Sequence, residues 1–115
     1  MCHASLSQQE GVLRHVNEAI ERGFWPGEGD AVVRIRCECG HADCNQSIRM
    51  RVDEYEQLRR QPRRFVLCED HDTPAIERIV DRGEAYVIVE KFGSAGEAAE
   101  RSDPRRDQRG EEAST

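Results

Sequence analysis

Three of the chain's five cysteines fall within eight residues, Cys37-Glu38-Cys39-Gly40-His41-Ala42-Asp43-Cys44. This octet constrains the fold more than any other stretch. In an extended segment Cys37 and Cys39 project to the same face, about 6–7 Å apart, too far for an easy internal disulfide. That geometry suits two thiolates gripping one metal from the same side. Gly40 frees the backbone to turn, and Cys44 can return across the loop. The flanks alternate like strands: Val33, Ile35 and Cys37 oppose Arg34 and Arg36, and Ile48, Met50 and Val52 oppose Arg49 and Arg51. A β-hairpin carrying the thiols in its loop is the expected local structure.

Zinc takes four tetrahedral ligands, so three local thiolates need a partner from elsewhere. His71 is the first choice, because it sits in a polar loop directly after an apolar run, Arg64–Cys68. Cys68 is the second and would complete an all-cysteine site. His41 is the third, and would crowd four ligands into one octet. His3 and His15 look unconnected to the cluster. A set of three Cys and one His is closed, as structural zinc sites are, and would couple metal binding to folding.

The rest of the chain reads as a small α+β domain. Ser5–Arg22 is predicted helical, with Ser7 and Glu10 at capping-box spacing, an apolar stripe of Val12, Leu13, Val16, Ala19 and Ile20, and Gly23 as the stop. Residues 25–30 form a turn-rich connector. Asp53 and Glu56 suggest a second capping box, opening a short helix to Gln61 that turns Tyr55 and Leu58 inward. Pro62 ends it. Strands are expected at Arg64–Cys68 and Tyr86–Lys91, with a turn around Gly83 before the second. Pro74–Val80 fits either a helix start or a strand. The resulting fold class is α+β: a mostly antiparallel sheet of four to five strands, an N-terminal helix, a short middle helix and a metal-binding loop. Residues 1–92 form this single zinc-binding domain. Residues 93–115 contain no large apolar side chain and many charges, and are expected to be a disordered tail.

Composition agrees with a thin core. Hydrophobic residues are 37% and charged residues 35% of the 115. No apolar run approaches a membrane span. Met1–Glu10 lacks the basic start and apolar core of a secretory signal, so a cytoplasmic location with reduced thiols is the expectation. The net charge of −6 hides an opposite middle, where residues 34–64 carry eight Arg against five acids.

The stretch Cys37-Glu38-Cys39 through Cys44, then Glu54-Tyr55-Glu56, Arg64-Phe65-Val66, His71 and Tyr86-Val87-Ile88-Val89-Glu90-Lys91, resembles a group of small uncharacterised actinobacterial proteins. They share a Cys-Glu-Cys, a later Cys, a Glu-Tyr-Glu helix, a Phe-Val strand, a His and a closing Val-Glu-Lys strand. The likeness spans roughly Glu10–Phe92 and implies Cys37, Cys39, Cys44 and His71 as the ligand set. These proteins usually have Pro-Gly before the His, where this chain has Glu69-Asp70. The resemblance implies no activity.

Three functions follow as expectations. The zinc-deaminase pattern, Gly-rich phosphate loops and a nucleophile elbow are all absent. A non-enzymatic regulatory or protein-interaction module with a structural zinc, acting through a protein partner, is therefore the first. The second is a nucleic-acid-binding regulator whose Arg34, Arg36, Arg49 and Arg51 share one face of two strands and meet phosphates. The ordinary alternative is a solvated face, its charges answered by acids elsewhere or by the first helix, which carries Glu10, Glu18 and Glu21. The third is a zinc-thiolate redox or metal sensor.

Overall fold

The computed structural model describes residues 2–23, 31–41 and 44–105. The expected connector at residues 25–30 lies outside them, as do Ala42, Asp43 and residues 106–115. The elements in chain order are helix α1 (Cys2–Arg22), strands β1 (Val32–Arg36) and β2 (Ser47–Arg51), helix α2 (Val52–Arg59), strands β3 (Arg64–Cys68), β4 (Glu77–Arg82) and β5 (Tyr86–Lys91), and helix α3 (Gly93–Arg101). The α+β class is as expected, with five antiparallel strands. They form two small sheets: a β1–β2 ribbon and a three-stranded sheet in the order β3-β5-β4. No helix among the described residues is long and apolar enough to cross a membrane.

The strands follow their side-chain patterns. β1 and β2 alternate, burying Val33, Ile35, Ile48 and Met50 and turning their arginines outward. β3 and β5 instead carry continuous apolar runs, Phe65-Val66-Leu67 and Val87-Ile88-Val89, all buried, as strands covered on both faces do. Pro74–Ile76 forms a turn, so the strand alternative holds for the following segment. β4 is an edge strand with a bulge between Ile79 and Asp81. Tyr55 and Leu58 of α2 close the core from one side, as their spacing requires.

Both predicted capping boxes are displaced. α1 starts at Cys2, which leaves Ser7 inside the helix. α2 starts at Val52, and it is the Glu54 carboxylate that accepts the Arg51 N–H at 3.1 Å. The C-terminal stop at Gly23 holds, its N–H reaching the Ile20 carbonyl.

The larger correction concerns which face of α1 is buried. Val12 is 53% and Val16 41% exposed, and Ala19 is exposed too, whereas Leu13 is half-buried and Ile20 packs against the core as expected. The buried positions are Glu10, Arg14, Asn17, Glu18 and Glu21, which share the same helical period. The reason is what α1 packs against. The apolar core is closed by the two sheets and α2, and α1 crosses the rim where carbonyls and charges emerge. Arg14 donates to the Pro62 carbonyl at 2.7 Å and the Ala99 carbonyl at 2.6 Å, with its guanidinium 4.5 Å over the Phe65 ring. Lys91 bridges Glu10 (2.5 Å) and Glu77. Asn17 holds both backbone groups of Arg36, donating to its carbonyl and accepting its N–H, each at 2.8 Å.

The expected disorder after Phe92 is also corrected for residues 93–105. α3 needs no large apolar side chain because it docks by close approach and charge. A Cβ on Gly96 would come within 2.5 Å of Arg63 Nη1 and 3.0 Å of the Lys91 carbonyl, so a larger residue would have to displace the Arg63 side chain and crowd the β5 backbone. Beyond the helix, buried Asp103 meets Arg59 at 3.4 Å, and Arg105 reaches Glu18 at 2.8 Å and Glu56 at 2.7 Å.

Candidate metal centre

The donor loop is built by continuing the ribbon one step past β1. The Cys37 N–H donates to the Gln46 carbonyl at 3.0 Å, keeping the hairpin paired beyond the strand. The next residue changes partner: the Glu38 N–H donates to the Val66 carbonyl of β3 at 2.9 Å. This bond helps join the ribbon to the second sheet and brings the loop beside the end of β3. Gly40, at φ +76°, then reverses the chain in a conformation most residues avoid. A turn closes the loop where the Cys44 N–H meets the His41 carbonyl at 3.0 Å.

The second half of the site comes from the turn after β3. The His71 N–H donates to the Cys68 carbonyl at 3.2 Å, with Asp70 left-handed at φ +67°. Asp tolerates this conformation better than most non-glycine residues.

His71 Nδ1 lies 3.5 Å from Cys37 Sγ and 3.6 Å from Cys44 Sγ. The donor atoms of Cys37, Cys39, Cys44 and His71 all lie within 4.8 Å of one another. Tetrahedral zinc with bonds of about 2.3 Å to sulfur and about 2.0–2.1 Å to nitrogen has an S···N edge of about 3.5 Å. Both measured S···N separations match that edge, so the four residues could hold a metal ion. Burial pushes the thiols of Cys37 and Cys39 up to about 12. Two adjacent buried thiolates are stable only next to a cation, which a metal would supply.

The remaining sequence candidates do not join the cluster. The Cys68 side chain is not among the four donors. Its backbone N–H donates to Cys37 Sγ at 3.2 Å, its thiol also hydrogen-bonds to that of Cys37, and burial raises it. His41 is exposed, and it is its backbone that meets the cluster, hydrogen-bonding to the Cys39 thiol and accepting the Cys44 N–H. Cys37 and Cys39 are buried, whereas Cys44 and His71 are half-buried and border a cavity of about 500 Å3 that also touches His41, Asp70 and Asp72. That side is the path by which an ion or a chelator would reach the donors.

Glu38 is the residue the sequence reading left unassigned. It is fully buried and faces away from the donors, as expected of a position between two ligands. Its carboxylate accepts the Val66 N–H at 3.0 Å, Asn17 Nδ2 at 2.8 Å and the Tyr55 hydroxyl at 3.0 Å. Burial, and the charge of Glu38 beside it, hold the Tyr55 phenol well above its usual range. One acid therefore ties the metal loop to β3, α1 and α2. The only signal in the sequence was a charged residue flanked by two thiols on the opposite face.

The arginine face is formed as expected. Val32, Arg34 and Arg36 of β1 and Ser47, Arg49 and Arg51 of β2 alternate with the buried positions. The acids of the first helix are engaged elsewhere. Glu10 pairs with Lys91, Glu18 with Arg59 and Arg105, and Glu21 hydrogen-bonds to Glu56. Arg51 pairs with Asp53 of α2 at 2.7 Å.

No protein-family model, curated protein or solved structure matches this chain.

Proposed function

We propose that this chain is a non-enzymatic interaction module whose fold is held by one structural zinc ion, bound by Cys37, Cys39, Cys44 and His71. The observation that carries the reading is the convergence of His71 Nδ1 on two cysteine sulfurs at tetrahedral-edge distances. Four protein donors fill the zinc coordination shell and leave no position for a reactive water. A thiolate-rich N/S set favours zinc over hard cations such as magnesium or calcium. Glu38 between the ligands is occupied by three donors in the core, so it does not serve as a general base at the metal.

The zinc would do structural work. It would join the ribbon loop to the turn after β3, supplementing the Glu38–Val66 backbone bond and the Glu38 carboxylate between the two sheets. Native mass spectrometry of protein purified without added metal tests this. One zinc per chain is expected, and chelation should loosen the fold, read by circular dichroism and amide hydrogen exchange. A metal-free protein with a full native spectrum overturns the reading.

A further inference from the structure

The chain carries 23 acids against 17 Lys and Arg, yet it leaves like charges facing each other on the ribbon. Arg34 and Arg49 are directly opposed in the β1–β2 register, both exposed, and among the described residues neither has an ion-pair partner. Like charges at directly opposed positions weaken a strand pair. Arg36 lies next to Arg34 on the same face but is half-buried, and its Nε is enclosed rather than turned to solvent. Elsewhere in the basic middle Arg59, Arg63 and Arg64 pair with acids, Arg51 of the ribbon pairs with Asp53, and exposed Arg60 has no ion-pair partner among the described residues. The ribbon differs in setting two unanswered arginines directly opposite each other on one surface.

We infer that this face binds the phosphate backbone of double-helical DNA, with the ribbon laid along the major groove. Two strands about 4.8 Å apart, with their side chains, fit a groove about 12 Å wide. The charges are all arginine, whose planar fork matches phosphate oxygens in a bidentate manner. Val32 is the one apolar residue among the six outward positions, and there is no aromatic side chain. A protein interface would centre on apolar and aromatic anchors, and single-strand binding would use aromatic stacking platforms. A-form RNA closes its major groove to side chains. The ribbon face therefore reads charge and groove shape, with little means of reading sequence beyond Ser47 and the arginines.

This inference gives the interaction module proposed above its partner, and depends on that reading only for the module's having one. The test is binding of a 20-base-pair duplex of mixed sequence across a salt series, with zinc counted by native mass spectrometry on the same samples. The wild-type chain should bind at low salt, with log K falling against log salt at a slope of about −3, as three or four phosphate contacts give. The Arg34→Ser/Arg49→Ser double variant removes two exposed side chains and no donor. It should keep its zinc, bind at least about tenfold more weakly at low salt, and show a slope shallower by about 2. No wild-type binding at low salt, an unchanged double variant, or tighter binding to single-stranded DNA, duplex RNA or poly-glutamate than to the duplex would each overturn the inference. Zinc-loaded protein that ignores DNA overturns this inference alone. Metal-free, folded protein that binds DNA overturns the zinc reading alone.

Discussion

Cys68 and His71 stand at the two ends of one four-residue turn, and the structure gives them different work. His71 turns Nδ1 toward the thiols, while Cys68 offers Cys37 its backbone N–H. Replacing a side chain leaves a backbone donor in place. Cys68→Ser should therefore retain one zinc per chain, whereas Cys44→Ser or His71→Ala should drop occupancy well below one, measured by native mass spectrometry. Glu38 carries a second prediction at this scale. Glu38→Ala would leave the Val66 N–H, the Asn17 amide and the Tyr55 hydroxyl without their shared acceptor in a dry site. At about 1–3 kcal/mol for each unsatisfied buried group, the loss should be about 3 kcal/mol or more. Tyr55→Phe removes one donor and should cost about 1 kcal/mol. Urea denaturation at fixed zinc reads both.

At the scale of elements, α1 and α3 share one lesson. Hydrophobic periodicity assigns α1 its helical state, but two faces of that helix have the same period. Which face is buried depends on the neighbour. Here the neighbour is a rim of carbonyls, arginines and carboxylates, so the polar face goes in and Val12 and Val16 stay out. α3 has no large apolar residue to announce it. It is held because Arg14 reaches the Ala99 carbonyl, Arg63 reaches Glu100 at 2.8 Å, and Arg59 meets Asp103 just beyond its end. Truncation after Phe92 would remove acceptors from buried Arg14 and Arg59. Breaking buried pairs costs about 3–5 kcal/mol, so the shortened chain should be destabilised by that order. A disordered tail would be deleted without effect, and thermal denaturation of the two lengths separates the cases.

For the whole molecule, the buried charge network sets the response to pH. Burial, and the hydrogen bond to the Glu56 carboxyl, push Glu21 up to about 8 from an ordinary 4.5. Burial raises Glu10 to about 7 against the pull of Lys91. The hydrogen bond from Arg105 holds Glu56 down at about 2. Folding thus favours a proton on Glu21 and Glu10 and none on Glu56. The Glu21 and Glu10 contributions are full below pH 4.5 and are lost as pH rises to about 7–8. The Glu56 contribution is present above pH 4.5 and is lost as pH falls toward 2. At fixed zinc loading, Tm should decline between about pH 5 and 8.5. Glu21→Gln, which keeps a neutral donor beside Glu56, should flatten that decline, as a pH series of thermal melts would show.

The local patterns of the sequence were enough for the hairpin, the strands β3 and β5, the inward Tyr55 and Leu58, and the placing of three thiols in one loop. Each depends on side-chain period or spacing within a few residues, which a linear chain displays directly. The sequence ranked His71 ahead of Cys68 and His41 without closing the choice. The turn after β3 brings one ring, that of His71, to the sulfurs of Cys37 and Cys44. Splitting the strands into two sheets, the inward polar face of α1, the docking of α3 and the three bonds of Glu38 were all decided by tertiary structure. In each case a buried charge or carbonyl takes its partner from a distant part of the chain. Such pairings leave no period in the sequence, because only folding brings the partners together.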